Sequence, residues 1–369
     1  MNFLLINSMS RTGTSLLYQL LHGCKSITFP PYRVQFVCSN PYGFPIVNFY
    51  NYKNEEFMKK LLDKTTIPVG INKHIDWSNI EIKKISELTN LNEFKKKIKK
   101  RFFFNNNSSS LNLAIKMLNN FYDIYEENKK YFCLHDDHSY ILGNEYLSSN
   151  GISKTLTTVR NPVDMVASKK NMLIFHSFGQ INPLKMKISS ETLEKELIRA
   201  LFSWMVSSYE YHNNFGLPIL YEKLKLGDRE KVIKKICLYL DVPFEKIMIT
   251  DQNDINIRSN ELLYAGPSLK YLTKGKKDDT VNYSKLSLLE TEIEKINNIV
   301  DLSPIKKIIN SDLTNFYKNF GLIWTYYENS KLKVLNEWFK LYKEGKTEEV
   351  FKKYTSFNYG HKNAKKAFI

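Results

Sequence analysis

The amino terminus joins a short apolar run, a small polar loop and a leucine pattern at helical spacing. Residues 3–6 read FLLI, which is typical of a strand covered on both faces in a parallel sheet. Residues 7–15 read NSMSRTGTS and are small and polar. The leucines that follow share one helix face: Leu16, Leu17, Leu20 and Leu21. The order strand, loop, helix predicts an α/β fold with this loop at the carboxyl end of a buried strand.

Further apolar runs and helical patterns alternate along the chain. Strands are predicted at 67–71, 131–134, 155–159 and 217–221. Two sets of apolar residues recur at helical spacing, one within 111–125 and one within 193–211. This alternation favours a central, mostly parallel sheet flanked by helices, with a P-loop-like first turn.

We expect one α/β domain over residues 1–324. A lysine- and asparagine-rich stretch at 78–110 is interpreted as an insertion, and 325–369 as a helical extension with a basic tail. The helical stripe of the extension consists of Leu332, Leu335, Trp338, Phe339 and Tyr342.

The composition excludes several classes of protein. Hydrophobic residues make up 43% of the 369, so wholesale disorder is excluded. Four scattered cysteines without a C-x-x-C pair predict neither a disulfide scaffold nor a zinc site, and indicate a reducing, cytoplasmic compartment. No apolar run reaches 18 residues, and the first residues lack a basic leader pattern, so neither a membrane span nor a signal peptide is expected. The net charge of +16 indicates solvated lysine-rich faces or attraction of an anionic ligand.

The loop after the first strand has the chemistry of an anion site. Backbone N–H groups at a helix start are unpaired, and the helix dipole favours negative charge. Gly13 allows close backbone approach, Thr14 and Ser15 can cap the helix, and Arg11 beside Thr12 offers a fork for phosphate or sulfate. We therefore predict that residues 11–15 bind an anion.

A nucleotide triphosphatase loop is a weaker interpretation of the same residues. Its pattern is G-x-x-x-x-G-K-[ST], and Gly13 could supply the second glycine. The first glycine then falls on Ser8 and the lysine on Thr14, so two of four fixed positions fail. A small-molecule or nucleoside kinase using ATP and magnesium remains an alternative.

A second strand–turn–helix pattern covers residues 155–168. Asn161 is a favourable N-cap and Pro162 a favourable first helical residue. Arg160 lies at the carboxyl end of the predicted strand, where α/β sheets bind ligands. Ser168 lies two turns into the helix, and its side chain leans back towards the helix start.

Together, R-T-G-T-S-L-L at 11–17 and V-R-N-P-x-D-x-x-x-S at 159–168 resemble the sulfotransferases that use 3′-phosphoadenosine 5′-phosphosulfate (PAPS). The resemblance implies that Arg11, Thr12, Gly13, Thr14 and Ser15 hold the 5′-phosphosulfate. It implies that Arg160 and Ser168 hold the 3′-phosphate, and the eight-residue spacing between these two agrees with the family pattern.

Weaker similarities follow. LYEKL at 220–224 resembles the family's Tyr-Glu-Asp-Leu segment, which implies that Tyr221 contacts the adenine. Lys274 and Gly275 lie where the family has a basic, glycine-containing loop over the 3′-phosphate, although the usual glycine spacing is absent. FGL at 320–322 matches a common near-terminal signature.

YFCLHDDH at 131–138 supplies candidates for a general base. Neutral imidazole has a suitable pKa for a hydroxyl acceptor. The resemblance favours His138, although Asp136 stands where the family has lysine, and His135 and Asp137 are rivals. The same four polar residues could bind a metal by residue type, but no metal is expected.

The sequence thus predicts a PAPS-dependent sulfotransferase acting on a hydroxyl, or less readily an amine, of a small molecule or carbohydrate. Aromatic residues within 29–50 could line the acceptor pocket. Besides the kinase, a basic nucleic-acid-binding protein using 95–101 and the tail is an alternative, although no nucleic-acid motif supports it. The sequence indicates neither the acceptor nor the oligomeric state.

Overall fold

The computed structural model describes the greater part of the chain, and the two longest stretches outside the described residues are 46–128 and 250–282. The described residues are 2–21, 23–28, 34–35, 44–45, 129–136, 139–149, 151–179, 181–225, 228–249, 283–356 and 365–369. The predicted strand at 67–71, the helical pattern within 111–125 and the insertion at 78–110 lie outside them.

The centre of the fold is a five-stranded sheet made of β1 (Asn2–Asn7), β2 (Ile27–Thr28), β5 (Tyr131–Asp136), β6 (Ile152–Val159) and β7 (Leu217–Leu220). The strand order is β2-β5-β1-β6-β7, and every described pairing is parallel. A separate parallel pair joins β3 (Val34–Gln35) to β4 (Phe44–Pro45). The predicted α/β class with a mostly parallel sheet is confirmed.

The predicted strands within the described residues are present, with different ends. β5 and β6 are longer than predicted because polar and β-branched residues continue the ladder beyond the apolar runs. Tyr221 was expected to end the last strand, and instead it begins a short helix.

β1 is the middle strand of the five, and its apolar run is buried. Leu4, Leu5 and Ile6 are fully buried. Ile6 pairs with Leu156 of β6 on one side and with His135 of β5 on the other, while Val159 at the end of β6 pairs with Leu220 of β7. The carboxyl ends of β1, β6 and β7 therefore lie side by side at one edge of the sheet.

Helices cover both faces of the sheet. In chain order they are α1 (Thr14–Leu21), α2 (Asn144–Ser149), α3 (Pro162–Phe178), α4 (Ser190–His212), α5 (Tyr221–Lys225), α6 (Arg229–Leu240), α7 (Tyr283–Ser287), α8 (Glu290–Ile299), α9 (Ser303–Asn310), α10 (Leu313–Phe320), α11 (Ile323–Tyr327), α12 (Lys333–Lys343) and α13 (Thr347–Ser356). Short 3-10 helices lie at Ser139–Leu142, Pro183–Lys185 and Lys246–Met248. Within the described ranges, no helix has the length and hydropathy needed to cross a bilayer.

Two apolar clusters lie on opposite sides of the sheet. α1 and α6 pack on one side against β1 and β7. α3, α4 and the carboxyl-terminal helices form the other cluster around Trp204 of α4. The predicted stripe on α12 is confirmed as an inward face, and Trp338 packs edge-on against Phe202 at 5.5 Å between ring centroids. Residues of the carboxyl-terminal extension thus share the core of the α/β domain.

A buried ion pair joins α3 to α8. Lys170 Nζ donates to Glu292 at 2.8 Å (Oε2) and 3.1 Å (Oε1), and the two side chains are 0% and 3% exposed. The same carboxylate accepts the backbone N–H groups of Ile188 and Leu289, each at 2.8 Å. Glu292 therefore fixes three separate segments of the chain.

Replacing Glu292 by alanine should destabilise the fold strongly. An unpaired buried ammonium and two backbone N–H groups without acceptors would remain, and breaking a buried pair costs about 3–5 kcal/mol. Urea unfolding of Glu292→Ala measures the loss. The control is Glu191→Ala, which removes the 71% exposed partner of Lys195 and should change stability little. Equal effects of the two substitutions would contradict the assigned role of the buried pair.

Candidate functional site

The loop between β1 and α1 has an unusual backbone. Arg11 adopts a φ of 78° and Gly13 a φ of 97°. A left-handed conformation is common for glycine but uncommon for arginine. A non-glycine residue held in it costs about 1–3 kcal/mol of conformational free energy, and such residues cluster at functional sites. The surrounding structure must therefore hold this loop in place.

A buried hydroxyl network supplies that support. Thr158 of β6 donates to Ser8 Oγ through its backbone N–H at 2.6 Å and its hydroxyl at 2.8 Å. Thr12 Oγ1 lies 2.6 Å from Thr158 Oγ1 and donates to the carbonyl of Met9 at 2.7 Å. Ser8, Thr12 and Thr158 are fully buried. Ser8, which replaces the first glycine of a triphosphatase loop, thus ties the loop to the neighbouring strand.

The two predicted anion-binding segments meet. Arg11 Nε donates to Ser168 Oγ at 2.9 Å, and Arg160 Nη1 donates to the carbonyl oxygen of Arg11 at 3.2 Å. Arg160 is 6% and Ser168 3% exposed, whereas Arg11 is partly exposed. Arg11 thus forms one cationic, hydroxyl-bearing cluster with two residues that follow it by 149 and 157 positions in the chain. The cluster lies at the carboxyl edge of the sheet.

The start of α3 is built as the sequence predicted. Asn161 Oδ1 accepts the N–H of Val163 at 3.0 Å, and Pro162 is the first helical residue. The carbonyl of Arg160 accepts the indole N–H of Trp204 at 2.7 Å, which anchors the turn to α4.

Tyr221 forms the floor of this cluster. The Arg160 guanidinium lies 4.5 Å from the centroid of the Tyr221 ring, within the range of a cation–π contact. A Cβ atom built on Gly13 would lie 2.1 Å from Tyr221 Cδ2, so only glycine fits against the ring. Tyr221 is 5% exposed, and the contact with adenine that the family resemblance implies stays an expectation.

Two buried carboxyl groups face Arg160, and sequence reasoning missed both. Glu222 Oε1 accepts the N–H of Asn161 at 2.8 Å; burial raises the pKa of Glu222 to about 7, although Asn161 and Arg160 act to lower it. Asp164 accepts the N–H of Ser284 at 2.9 Å, and burial raises its pKa against the effect of Arg160. Both lie within motifs noted in the sequence, Asp164 in V-R-N-P-x-D-x-x-x-S and Glu222 directly after Tyr221 in LYEKL, and this is the signal that could have identified them.

Other predicted residues are described in part or not at all. Thr14 begins α1 and is buried, while only the backbone of Ser15, in the same helix, is described. His135 pairs through its backbone with Ile6, which places it near the carboxyl end of β5. The remaining candidates lie outside the described residues: Asp137, His138, Lys274 and Gly275. Among the side chains that are described, no group of three or more His, Cys, Asp or Glu could hold a metal ion.

Comparison with known proteins gives a likeness to sulfotransferase domains. No protein-family model and no curated protein sequence matches the chain. The sulfotransferase domain of the Synechococcus PCC 7002 olefin synthase is 14% identical, with a TM-score of 0.44 over 81% of this chain and 94% of that one. The sulfotransferase domain from the curacin biosynthetic pathway is 18% identical, with a TM-score of 0.39 over 80% and 96%. This likeness concerns overall fold alone, so a functional assignment must rest on the site.

Gly13→Ala should destabilise the protein, because the new methyl group meets Tyr221. Overpacking costs about 1–3 kcal/mol, and a positive φ adds to it. Gly345→Ala is the matched control: its φ is 70°, and a Cβ there meets nothing within 4 Å. Urea unfolding should show the larger loss at residue 13. Equal losses would mean that the contact with Tyr221 does not restrict this position.

Glu222 should make stability fall as the pH rises towards 7. Below pH 4.5 the carboxyl is protonated in both states; between 4.5 and about 7 it ionises in the unfolded chain alone, which destabilises the fold. A shift of this size corresponds to about 3 kcal/mol above pH 7. Glu222→Gln, which can still accept from Asn161, should gain that amount relative to wild type between pH 4.5 and 8 in urea unfolding. Parallel pH curves for the two proteins would contradict the shift.

Proposed function

We propose that this protein is a sulfotransferase that uses PAPS as its sulfuryl donor. The observation that carries the proposal is that Arg11 is hydrogen-bonded both to Arg160 and to Ser168. These residues come from the two motifs that resemble the donor-binding segments of the family. The likeness of overall fold to two sulfotransferase domains is consistent with the proposal but does not carry it.

The hydrogen-bond donors of the site suit a highly charged anion such as PAPS. PAPS carries about four negative charges at neutral pH: most of two on its 3′-phosphate, and one each on the 5′-phosphate and the sulfate of the phosphosulfate anhydride. Guanidinium groups bind phosphate and sulfate bidentately, and hydroxyl groups and helix N-termini add further donors. Burial of Arg160 and Ser168 strengthens these bonds because water does not screen them.

The proposed roles follow from this chemistry. Arg160 and Ser168 hold the 3′-phosphate, with Lys274 and Gly275 as further candidates and Tyr221 beside the adenine. Arg11 and residues 12–15 hold the 5′-phosphosulfate. When bound, PAPS supplies the activated sulfuryl group, and Arg11 stabilises negative charge beside it.

An acceptor hydroxyl must lose its proton as its oxygen attacks. We retain His138 as the proposed base, with His135 as the alternative. A small-molecule or carbohydrate acceptor, a cytoplasmic location and the absence of a metal requirement belong to the same proposal. The kinase alternative lacks both the lysine and the first glycine of a triphosphatase loop.

Adenosine 3′,5′-bisphosphate, the expected product, should raise the melting temperature of the wild-type protein. A ligand at 100 times its Kd stabilises the folded state by about 2.7 kcal/mol. Arg160→Gln, Arg11→Ala and Ser168→Ala should each reduce the shift, because charge-assisted bonds contribute about 1.5–3 kcal/mol. Each shift is measured from the variant's own ligand-free melting temperature, so that altered stability does not enter the comparison.

The control variant is Lys340→Ala, which removes a 77% exposed cation of α12 and should leave the shift unchanged. ATP with magnesium and a single-stranded oligonucleotide are the control ligands. Stabilisation by ATP–Mg²⁺ alone would favour the kinase. Stabilisation by the oligonucleotide alone, lost steeply with salt, would favour nucleic-acid binding.

A further inference from the structure

The carboxyl group of Glu222 is buried, and only one of its two oxygen atoms has a hydrogen-bond partner within the described residues. The side chain is 5% exposed, and Oε1 accepts the backbone N–H of Asn161 at 2.8 Å. Within the described part of the chain, Oε2 is buried and has no hydrogen-bond partner. Burying a carboxylate oxygen without a donor costs more than burying the neutral, protonated carboxyl group in the same place.

Among the described residues, two charged groups face Glu222, and one of them, Arg160, belongs to the proposed donor site. Arg160 faces it from the turn between β6 and α3, and Asp164 from the first turn of α3. On α5 itself, Lys223 is directed to Asp228, 3.6 Å away. The positive charge of Arg160 thus acts on the carboxyl groups of both Glu222 and Asp164. An anion bound at Arg160 would add negative charge beside both.

We propose that Glu222 is a positioning residue that fixes the turn carrying Arg160 and links anion binding at this arginine to the uptake of one proton. The inference rests on the proposed function, because it needs a phosphate group at Arg160. Oε1 holds the N–H of Asn161 in either protonation state, so the turn keeps its geometry. The proton comes from solvent and adds to Oε2, which leaves the positive charge of Arg160 to the ligand.

Thermodynamic linkage predicts the direction in which pH changes the affinity for the anion. If the anion favours protonated Glu222, then rising pH must weaken the anion's binding, because the two equilibria are reciprocal. In the free protein the pKa of Glu222 is raised to about 7 by burial, so the effect falls near and above neutral pH. Ionisation of the ligand's own phosphate, with a second pKa of about 6, acts in the opposite direction and is complete by pH 8.

The test measures binding of adenosine 3′,5′-bisphosphate by calorimetry at pH 6, 7, 8 and 8.5. Wild-type protein should bind less tightly at each step above pH 7, by at most about tenfold per pH unit for one proton. Glu222→Gln should match wild type at pH 6 and show no such decline. Titrations at pH 8 in buffers of different ionisation enthalpy should reveal proton uptake in wild type and none in the variant.

The control variant is Glu210→Gln, which alters a buried carboxyl group of α4 that accepts the hydroxyl hydrogen bond of Tyr342. It should keep the pH dependence of wild type. Equal pH slopes in wild type and Glu222→Gln, or no proton uptake by wild type at pH 8, would overturn the inference, and the second measurement needs no variant. Absence of binding at every pH would instead overturn the proposed function.

Discussion

The parallel pairing of β1 with β6 is the constraint on which the site depends. It places the ends of two strands, about 150 residues apart in the chain, next to each other at one edge of the sheet. The bonds from Thr158 to Ser8 continue this pairing beyond the last paired residues. They hold the loop in the conformation that gives Arg11 its positive φ. Without this strand pairing, Arg11 would not lie near Arg160 and Ser168.

The positive charge of Arg160 is stabilised by buried protein groups rather than by solvent. Its guanidinium lies over the Tyr221 ring, and it interacts electrostatically with the buried carboxyl groups of Glu222 and Asp164. In surroundings of low polarity, these interactions are stronger than they would be at the surface, and so is the attraction for an incoming anion. The same burial raises the pKa of both carboxyl groups, which couples the charge of the site to pH.

The carboxyl-terminal helices contribute to the site at a distance. Trp204 of α4 holds the carbonyl of Arg160, and Phe320 of α10 packs against its ring at 5.6 Å. Two residues before Trp204 on the same helix, Phe202 packs against Trp338 of α12. Arg199, also on α4 and buried, donates to Tyr354 of α13 at 3.0 Å. Residues that resemble no donor-binding motif therefore anchor the helix that positions the Arg160 turn.

The sequence by itself determined the fold class, the strands that position the site and the two segments that converge. Apolar runs, helical spacing and turn residues are local properties, so β1, α3, α4 and the inward stripe of α12 could be predicted from them. The tertiary structure alone decided which groups meet: the bond of Arg11 to Ser168, the burial of Tyr221 against Gly13, and the approach of Glu222 to Asn161. Such contacts depend on strand register and on the packing of distant segments, and a carboxyl group's pKa depends on burial, which no local pattern encodes.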